Sequence, residues 1–287
     1  MSSIKFPHPK LKEENFIFKN GEFQNLNNEK EKLKILEYSE NTEGWNNDLT
    51  KMADHKISNN HPIDIASTKM CLNLLQKYEQ SEKKIVFEIG CLNGSLTKKI
   101  IECKKYNYVG SDAINKSIIH LSKIYKDTPF VVFDILKNPF KKNICTSLIM
   151  LNVLEHIQDD DKALAEAYNM LEDNGLLLIE VPAGKFLYDD YDRQLLHFRR
   201  YSLKEITEKL IKNGFIIEKK THLGFFVFPL FVIVKIFNKI FNNKNIVIKQ
   251  TKIADNFLMK FLFYFEEKFK NFSLPFGIRC VICARKK

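Results

Sequence analysis

One stretch constrains the fold of this chain more than any other, and it spans residues 85–101. Its apolar run carries Glu88 near the end, the following turn contains Gly90 and Gly94, and a helical pattern begins at Ser95. A buried strand that leads through a tight turn into a helix places backbone N–H groups at the carboxyl end of the strand, where parallel sheets bind their ligands. The stretch therefore predicts an α/β fold with a ligand site at this turn.

The next two short apolar segments also end in acids, Asp112 and Asp134. With Glu88, three successive strands thus deliver carboxylates to one edge of the predicted sheet. Carboxylates accept hydrogen bonds from ribose hydroxyls and from exocyclic amines, so this edge suits a ligand that contains adenosine. Leu92 stands where a dinucleotide-binding turn needs glycine. A nucleoside that carries a small cationic group therefore fits better than a pyrophosphate.

Residues 85–221, with a last strand near 278–284, resemble the class I S-adenosylmethionine-dependent methyltransferases. The most specific part of the resemblance is the run 152–160, which follows the fourth predicted strand, although the family usually has a small residue at the position of Leu92. The resemblance implies S-adenosylmethionine as the cofactor. It also implies a set of cofactor-binding residues, which are Glu88, Gly90, Gly94, Asp112, Asp134 and Asn152.

Strand and helix patterns alternate as far as residue 221, which predicts a parallel sheet with crossover helices. The resemblance implies a Rossmann-like sheet of seven strands, mostly parallel, with helices on both faces and an antiparallel last strand. Roughly 57 residues separate the sixth strand from the seventh. The predicted organisation is an N-terminal extension or lid (1–60), a cofactor-binding core (61–221), a helical apolar and basic insertion (222–276), and a last core strand with the tail (277–287).

The N-terminal segment is rich in Asn, Lys and Glu with isolated aromatic residues, which predicts a partly ordered extension rather than a domain. An alternative interpretation makes residues 44–50, which include Trp45, and residues 60–64 a lid over the cofactor. The six cysteines are scattered, as expected for free thiols in a reducing compartment. Cys280 and Cys283 face opposite sides of a predicted strand, so no metal site is predicted.

The net charge of +10 lies in the tail: residues 219–287 hold 14 basic and 3 acidic residues. The insertion mixes bulky apolar residues with lysines, and three interpretations stay open for it. It caps the sheet, forms a homodimer contact, or lies on an anionic membrane surface. No apolar run is long enough to span a membrane, and residues 1–30 lack a secretory signal. The predicted location is cytoplasmic, with a peripheral position on the inner face of the membrane as the membrane interpretation.

Methyl transfer from a sulfonium needs an aligned acceptor and, for a hydroxyl, removal of its proton. His156 and His197 are the candidate catalytic bases, and His156 is equally well explained as a hydrogen-bonded loop histidine. Three of the five arginines fall between positions 193 and 200, which favours bidentate recognition of an anionic group. The alternative is an internal Arg–Asp network. The predicted substrate-binding residues are Tyr188, Asp192, Arg193, Arg199, Arg200 and Tyr201.

Residues 182–202 also resemble a narrower methyltransferase group that is associated with surface-glycan and lipid-linked saccharide pathways. This resemblance indicates the class of pathway rather than the acceptor. With the arginine cluster and the candidate bases, it predicts methylation, expected at oxygen, of a small or lipid-linked anionic sugar intermediate, and the alternatives of N- and C-methylation stay open. Two alternatives remain, a methyltransferase-like binding module without activity and an RNA-directed methyltransferase. Nucleic acid is not the expected acceptor, because the residues that begin at Asn152 lack the Pro-Pro-aromatic turn that grips a flipped base in the resembled DNA enzymes.

Overall fold

A computed structural model describes residues 4–11, 14–39, 61–241 and 257–287 of the chain. The expected lid segment around Trp45 lies outside the described residues. The twelve strands that the structure describes are β1 (Phe6–Pro7), β2 (Asn15–Lys19), β3 (Glu22–Asn25), β4 (Lys32–Leu33), β5 (Leu36–Glu37), β6 (Ile85–Ile89), β7 (Asn107–Asp112), β8 (Phe130–Val132), β9 (Cys145–Leu151), β10 (Leu171–Pro182), β11 (Phe215–Leu223) and β12 (Arg279–Lys286).

The main sheet has the strand order β11-β12-β10-β9-β6-β7-β8-β5. Its strands pair in parallel from β5 to β10, whereas β12 runs antiparallel to both β10 and β11. The predicted α/β fold with a mostly parallel Rossmann-like sheet is therefore confirmed. The described sheet contains eight strands rather than seven, because the short strand β5 from the N-terminal segment pairs with β8.

Helices cover both faces of the sheet, and alternate side chains of each strand pack against them. Phe87 and Leu177 belong to the core on one face, and their neighbours Val86 and Leu178 belong to the core on the other, as expected for the period of two along a strand. The helices are α1 (Pro62–Tyr78), α2 (Ser95–Cys103), α3 (Asn115–Ile124), α4 (Asp160–Met170), α5 (Asp190–Gln194), α6 (Leu203–Lys212), α7 (Phe228–Phe241) and α8 (Phe257–Glu267).

The N-terminal segment differs from the expected partly ordered extension. Strands β1 to β4 form an antiparallel sheet, and its aromatic side chains are buried in the core that also contains α4 and α6. Phe6 packs edge to face on Phe23, with ring centroids 5.1 Å apart, and also contacts Phe140, which lies between β8 and β9. Burial of these rings stabilises the described part of the segment despite its polar composition, and composition alone does not predict this contribution.

The insertion between β11 and β12 contributes α7 and α8. Phe225 and Phe226 pack within it, where Phe226 contacts Phe265 and Phe269. Helix α8 lies against α1, and Lys69 of α1 pairs with Glu267 at 2.7 Å. In the part of the chain that the structure describes, no helix combines the length and the apolar character that a membrane span needs.

Candidate functional site

The turn after β6 is built on two glycines in the left-handed region of backbone space. Gly90 and Gly94 both have φ of +78°. A Cβ atom at Gly90 would come within 2.5 Å of Val153 Cγ2, and one at Gly94 would come within 2.5 Å of Leu121 Cδ2. Side chains are thus excluded at both positions by conformation and by space. The two glycines let the turn pack tightly against the loop after β9 and against α3.

Asp112 ties the turn to the end of the neighbouring strand β7. Its Oδ2 accepts a hydrogen bond from the backbone N–H of Leu92 at 3.0 Å, and its Oδ1 accepts one from Ile114 N at 3.0 Å. Leu92 itself has φ of +39°. Burial raises the pKa of Asp112 to about 6. This carboxylate therefore shapes the backbone of the candidate cofactor site, and each of its oxygens has further acceptor capacity.

Glu88 is buried, and one of its two carboxylate oxygens is hydrogen-bonded within the protein. Its Oε2 accepts hydrogen bonds from Thr97 Oγ1 at 3.1 Å and from the hydroxyl of Tyr108. Burial raises the pKa of Glu88 to about 7. The side chain of Glu88 connects β6 to α2 and β7. Its described contacts therefore stabilise the elements that carry the glycine turn.

Asp134 lies two residues beyond β8, whose Val132 pairs with Asp112. Its Oδ1 accepts the backbone N–H of Leu136 and caps a short 3-10 helix at Ile135–Lys137. The register of β6, β7 and β8 thus brings the predicted acids to the same edge of the sheet.

Two buried polar groups near this turn were missed by the sequence analysis. Asn93 Nδ2 and Asn115 Oδ1 have no hydrogen-bond partner among the described residues. Buried polar groups are nearly always paired with protein, water or ligand. One donor and one acceptor beside a glycine turn are consistent with a hydrogen-bonding ligand at this edge. An asparagine near the start of the helix that follows each of β6 and β7 was the available sequence signal.

Asn152, the sixth predicted cofactor residue, is held by an acid that the sequence analysis did not select. Its backbone N–H and its Nδ2 donate to Glu180 O at 2.8 Å and to Glu180 Oε1 at 3.0 Å. The same Oε1 accepts from Arg279 Nη1 at 2.6 Å and from Ser67 Oγ at 2.8 Å. Asn152 adopts φ of +53°. The sequence offered one signal for Glu180, because it is a charged residue inside the otherwise apolar run 176–182.

The two candidate catalytic histidines meet beyond the end of β9. The ring centroids of His156 and His197 lie 4.6 Å apart, and Glu155 lies close to both. Burial, with a smaller contribution from His197, lowers the pKa of His156 to about 3, and burial raises the pKa of Glu155 to about 7. The structure thus brings the two candidate catalytic histidines together with Glu155, which the sequence analysis did not select. We refer to Glu155, His156 and His197 as the acceptor-side cluster.

His197 is oriented by Asp192. Its Nδ1 lies 2.9 Å from Asp192 Oδ1, and its backbone N–H donates to Asp192 O. Burial acts to raise the pKa of Asp192, but the hydrogen bond from His197 and the charges of Arg200 and Lys235 outweigh it and hold this pKa well below its usual range. An ionised carboxylate only accepts hydrogen bonds, so Nδ1 carries the proton and Nε2 remains for a ligand or substrate.

The structure shows the internal Arg–Asp network that the sequence analysis gave as the alternative, and this favours the network over the predicted use of the arginine cluster in acceptor binding. Arg200 Nε lies 2.9 Å from both carboxylate oxygens of Asp192, and Arg199 pairs with Asp160 at 2.9 Å. Arg193 pairs with Asp190 on the surface at 2.6 Å. Buried guanidinium groups need such partners because burying an unpaired charge is costly.

The two predicted tyrosines also stabilise this loop. The hydroxyl of Tyr188 donates to His197 O at 2.7 Å, and that of Tyr201 donates to Asp160 Oδ2 at 2.9 Å. Tyr201 is fully buried. Each of the predicted substrate-binding residues thus has a hydrogen-bond or ion-pair partner among the described residues, either in its own loop or in the segment 154–160.

Comparisons with known proteins support the fold and the cofactor. Residues 87–179 match the family described as a methyltransferase domain. A search of curated protein sequences finds no match. Among solved structures, a putative sarcosine dimethylglycine methyltransferase from Galdieria sulphuraria is 13% identical with a TM-score of 0.58, and the match covers 84% of this chain and 99% of that chain.

Two further structures share the fold. Phosphoethanolamine N-methyltransferase 2 from Haemonchus contortus, which was solved with S-adenosylhomocysteine, is 15% identical with a TM-score of 0.51 over 83% of this chain and 60% of that chain. The cyclase SpnF is 14% identical with a TM-score of 0.54 over 77% and 80% of the two chains. At these identities the structures show a common fold.

S-adenosylmethionine is the cofactor of this domain, and the residues present fit it. Asp112 has acceptor capacity for hydroxyl groups at the end of β7, and the unpartnered amide atoms of Asn93 and Asn115 lie in the neighbouring turns. The glycine turn keeps the backbone free of side chains at positions 90 and 94. When bound, the cofactor supplies a methyl group on a positively charged sulfur.

Proposed function

We propose that this chain, an S-adenosylmethionine-dependent methyltransferase, methylates a hydroxyl group of a small or lipid-linked saccharide. The observation that carries the proposal is the acceptor-side cluster after β9. It contains two adjacent histidines and a buried acid, and its His197 is held in one tautomer by Asp192. A base that a carboxylate orients is the arrangement by which proteins remove a hydroxyl proton.

The saccharide part of the proposal rests on the resemblance of residues 182–202 to glycan-pathway methyltransferases. The anionic character that the arginines suggested has no support, because these guanidinium groups are occupied by Asp160, Asp190 and Asp192. A neutral hydroxyl acceptor is therefore the form that we propose. His197 removes the proton as the acceptor oxygen receives the methyl group.

A cavity of about 270 Å³ between α1 and α8 offers space for the apolar part of a lipid-linked acceptor. Its lining includes Ile65, Met70, Leu223 and Phe263. None of the predicted site residues lines it, so it is not the cofactor site. Such a cavity, bounded by the insertion, suits an aliphatic chain rather than a sugar, because it offers mostly apolar surface.

We also propose that the insertion attaches the enzyme to the inner face of the membrane. The exposed side chains of α7 and α8 include Ile233, Phe237, Phe257 and Phe261, of which Phe257 is 82% exposed. Apolar side chains beside a local charge of +11 suit an anionic membrane surface. Lys235 is not part of this surface, because it is buried and pairs with Asp189 at 2.7 Å.

Two assays test the proposed function in sequence. Calorimetry with S-adenosylmethionine and S-adenosylhomocysteine is expected to give saturable binding. Mass spectrometry after incubation with a library of glycan intermediates is then expected to show a mass gain of one methylene on a hydroxyl. Methyl transfer to nitrogen or carbon, or to RNA, would contradict the proposed acceptor. Cofactor binding without transfer to any acceptor would instead favour a binding module or the kind of non-methyl chemistry that the name of SpnF indicates for that protein.

A further inference from the structure

The acceptor-side cluster also has the composition of a metal site. Glu155, His156 and His197 each offer one ligand atom, and these atoms all lie within 4.8 Å of one another. Two imidazoles and one carboxylate are ligands that first-row divalent metals accept. A tetrahedral ion about 2.1 Å from each ligand atom places those atoms roughly 3.4 Å apart, so the three side chains would have to close by at most about 1.4 Å.

The carboxylate of Glu155 gives an independent indication that something binds here. The residue is only 1% exposed, and among the residues that the structure describes its Oε2 has no hydrogen-bond partner. A buried carboxylate oxygen without a partner is costly unless a proton, a cation or a metal ion compensates it. The two side chains grouped with Glu155 are the imidazoles of His156 and His197, and imidazoles bind metal ions as neutral ligands.

His197 is hydrogen-bonded to a carboxylate in the way that metal-binding histidines usually are. The second ring nitrogen of a metal-binding histidine usually donates to a carboxylate, which fixes the ring. Here Nδ1 of His197 donates to Asp192, and Asp192 is held in turn by Arg200 and by Lys235, the latter at 3.4 Å. This chain of contacts leaves Nε2 as the ligand atom.

The two segments that carry the cluster are fixed to each other by further hydrogen bonds. Phe198 N donates to Glu155 O at 2.8 Å, and Arg199 Nη2 donates to Gln158 O at 2.6 Å. The loop after β9 and the loop after α5 therefore hold the cluster on a stable frame. A metal site needs such preorganisation because loosely held ligands bind weakly.

We propose that Glu155, His156 and His197 bind one divalent first-row transition-metal ion such as Mn²⁺, Co²⁺ or Zn²⁺. Three protein ligands leave at least one position open for water or substrate. The use of that position for an acceptor hydroxyl rests on the proposed function. With the ion bound, Nε2 of His197 would be a ligand and not the base. The ion would lower the pKa of the bound hydroxyl, whose proton passes to solvent instead of to His197; the O–CH₃ bond then forms as the S–CH₃ bond breaks, and neutral S-adenosylhomocysteine leaves.

A second group of potential ligands is less suited to a metal. His8, Glu14 and Glu31 also lie close together, but Nε2 of His8 pairs with Glu31 at 3.2 Å and its Nδ1 accepts the backbone N–H of Lys10. Both acids accept hydrogen bonds from Asn25 Nδ2 at 2.6 Å. This group is satisfied without an ion, and His8 supplies a matched control.

The test uses the tag-free full chain, stripped with a chelator and titrated with Co²⁺. We expect about one bound equivalent with the visible absorption of a nitrogen- and oxygen-ligated Co²⁺ ion. Glu155→Gln and His197→Gln are expected to weaken binding by at least about 10- to 100-fold, whereas His8→Gln leaves it unchanged. A metal-dependent rise in the thermal midpoint of the wild-type chain gives a readout that needs no variant.

Absence of saturable binding would overturn the proposal, and so would binding that His8→Gln abolishes or that Glu155→Gln leaves intact. Far-UV circular dichroism establishes that each variant is folded, and His156→Gln replaces any that is not. The proposed function fails separately: a chain that binds Co²⁺ and S-adenosylhomocysteine but methylates no hydroxyl keeps the metal site and loses the proposed acceptor. A chain that binds S-adenosylhomocysteine but not Co²⁺ loses the metal site and leaves the proposed function untouched.

Discussion

The cofactor side of the site, at the ends of β6 to β8, and the acceptor side, after β9 and β10, are built in different ways. On the cofactor side the backbone sets the geometry through Gly90, Gly94 and the N–H groups that Asp112 accepts. On the acceptor side, side chains set it, because Asp192 and its cationic partners hold His197 in place. Turns that depend on the backbone can be recognised from short sequence motifs, whereas side-chain networks depend on contacts across the chain.

The largest effect is expected when the acceptor-side network loses its central acid. Asp192→Ala leaves Arg200 and Lys235 buried without this partner, and breaking a buried ion pair typically costs about 3–5 kcal/mol. Urea denaturation measures the loss. Arg193→Ala is the control, because its pair with Asp190 is exposed, and no measurable change is expected. Equal and small shifts in both variants would indicate that the arginines are free for an acceptor after all.

The next effect concerns the backbone of the cofactor side. Gly94→Ala introduces a Cβ atom at φ of +78° and 2.5 Å from Leu121 Cδ2, which is expected to cost about 1–3 kcal/mol and to weaken S-adenosylhomocysteine binding. Gly21→Ala is a matched control in the N-terminal sheet, where φ is +76°. It is expected to lower stability while cofactor affinity in calorimetry stays at the wild-type value. Unchanged affinity in both variants would argue against a cofactor site at this turn.

For the same physical reason, the sequence predicted the local structure at the ends of β6 to β8 better than the side-chain contacts of the segments after β9 and β10. The strand, the glycine turn and the terminal acids are local features, so the parallel sheet and the common edge of Asp112 and Asp134 followed from them. Glu180, which holds Asn152, and the pairing of Arg199 with Asp160 depend on residues distant in the chain. Even on the cofactor side, the sequence did not predict the contacts of Glu88 with Thr97 and Tyr108, because these contacts depend on how the elements pack.

A smaller effect is expected from the buried acid behind the turn. Burial raises the pKa of Glu88 from 4.5 to about 7, so the folded state binds a proton that the unfolded state has released. The free energy of unfolding therefore decreases as the pH rises from about 4.5 to 7. Glu88→Gln removes this contribution and is expected to raise stability at pH 8 by about 1–3 kcal/mol. Denaturation at pH 5 and pH 8 measures it, and an unchanged difference between the two would contradict the buried position of Glu88.

The smallest effect on the folded protein is expected on the insertion. Phe257→Ser with Phe261→Ser replaces two exposed side chains of α8, so stability should change little. Cosedimentation with anionic vesicles is expected to fall about tenfold and to weaken with added salt. Ile124→Ser, at an exposed position at the end of α3, should leave cosedimentation unchanged. If sedimentation is the same with and without vesicles but changes with protein concentration, the insertion forms a homodimer contact instead.

The most direct test of the two-sided site compares Asp112→Asn with His197→Gln in calorimetry and in turnover. Asp112→Asn turns an acceptor toward the N–H groups of Leu92 and Ile114 into a partial donor, so S-adenosylhomocysteine affinity is expected to fall about 10- to 100-fold. His197→Gln is expected to keep that affinity within about twofold, since it removes no group on the cofactor side, while methyl transfer falls by at least about 100-fold. Equal losses of cofactor affinity in the two variants, or turnover that survives His197→Gln, would contradict the division of the site into a cofactor side and an acceptor side.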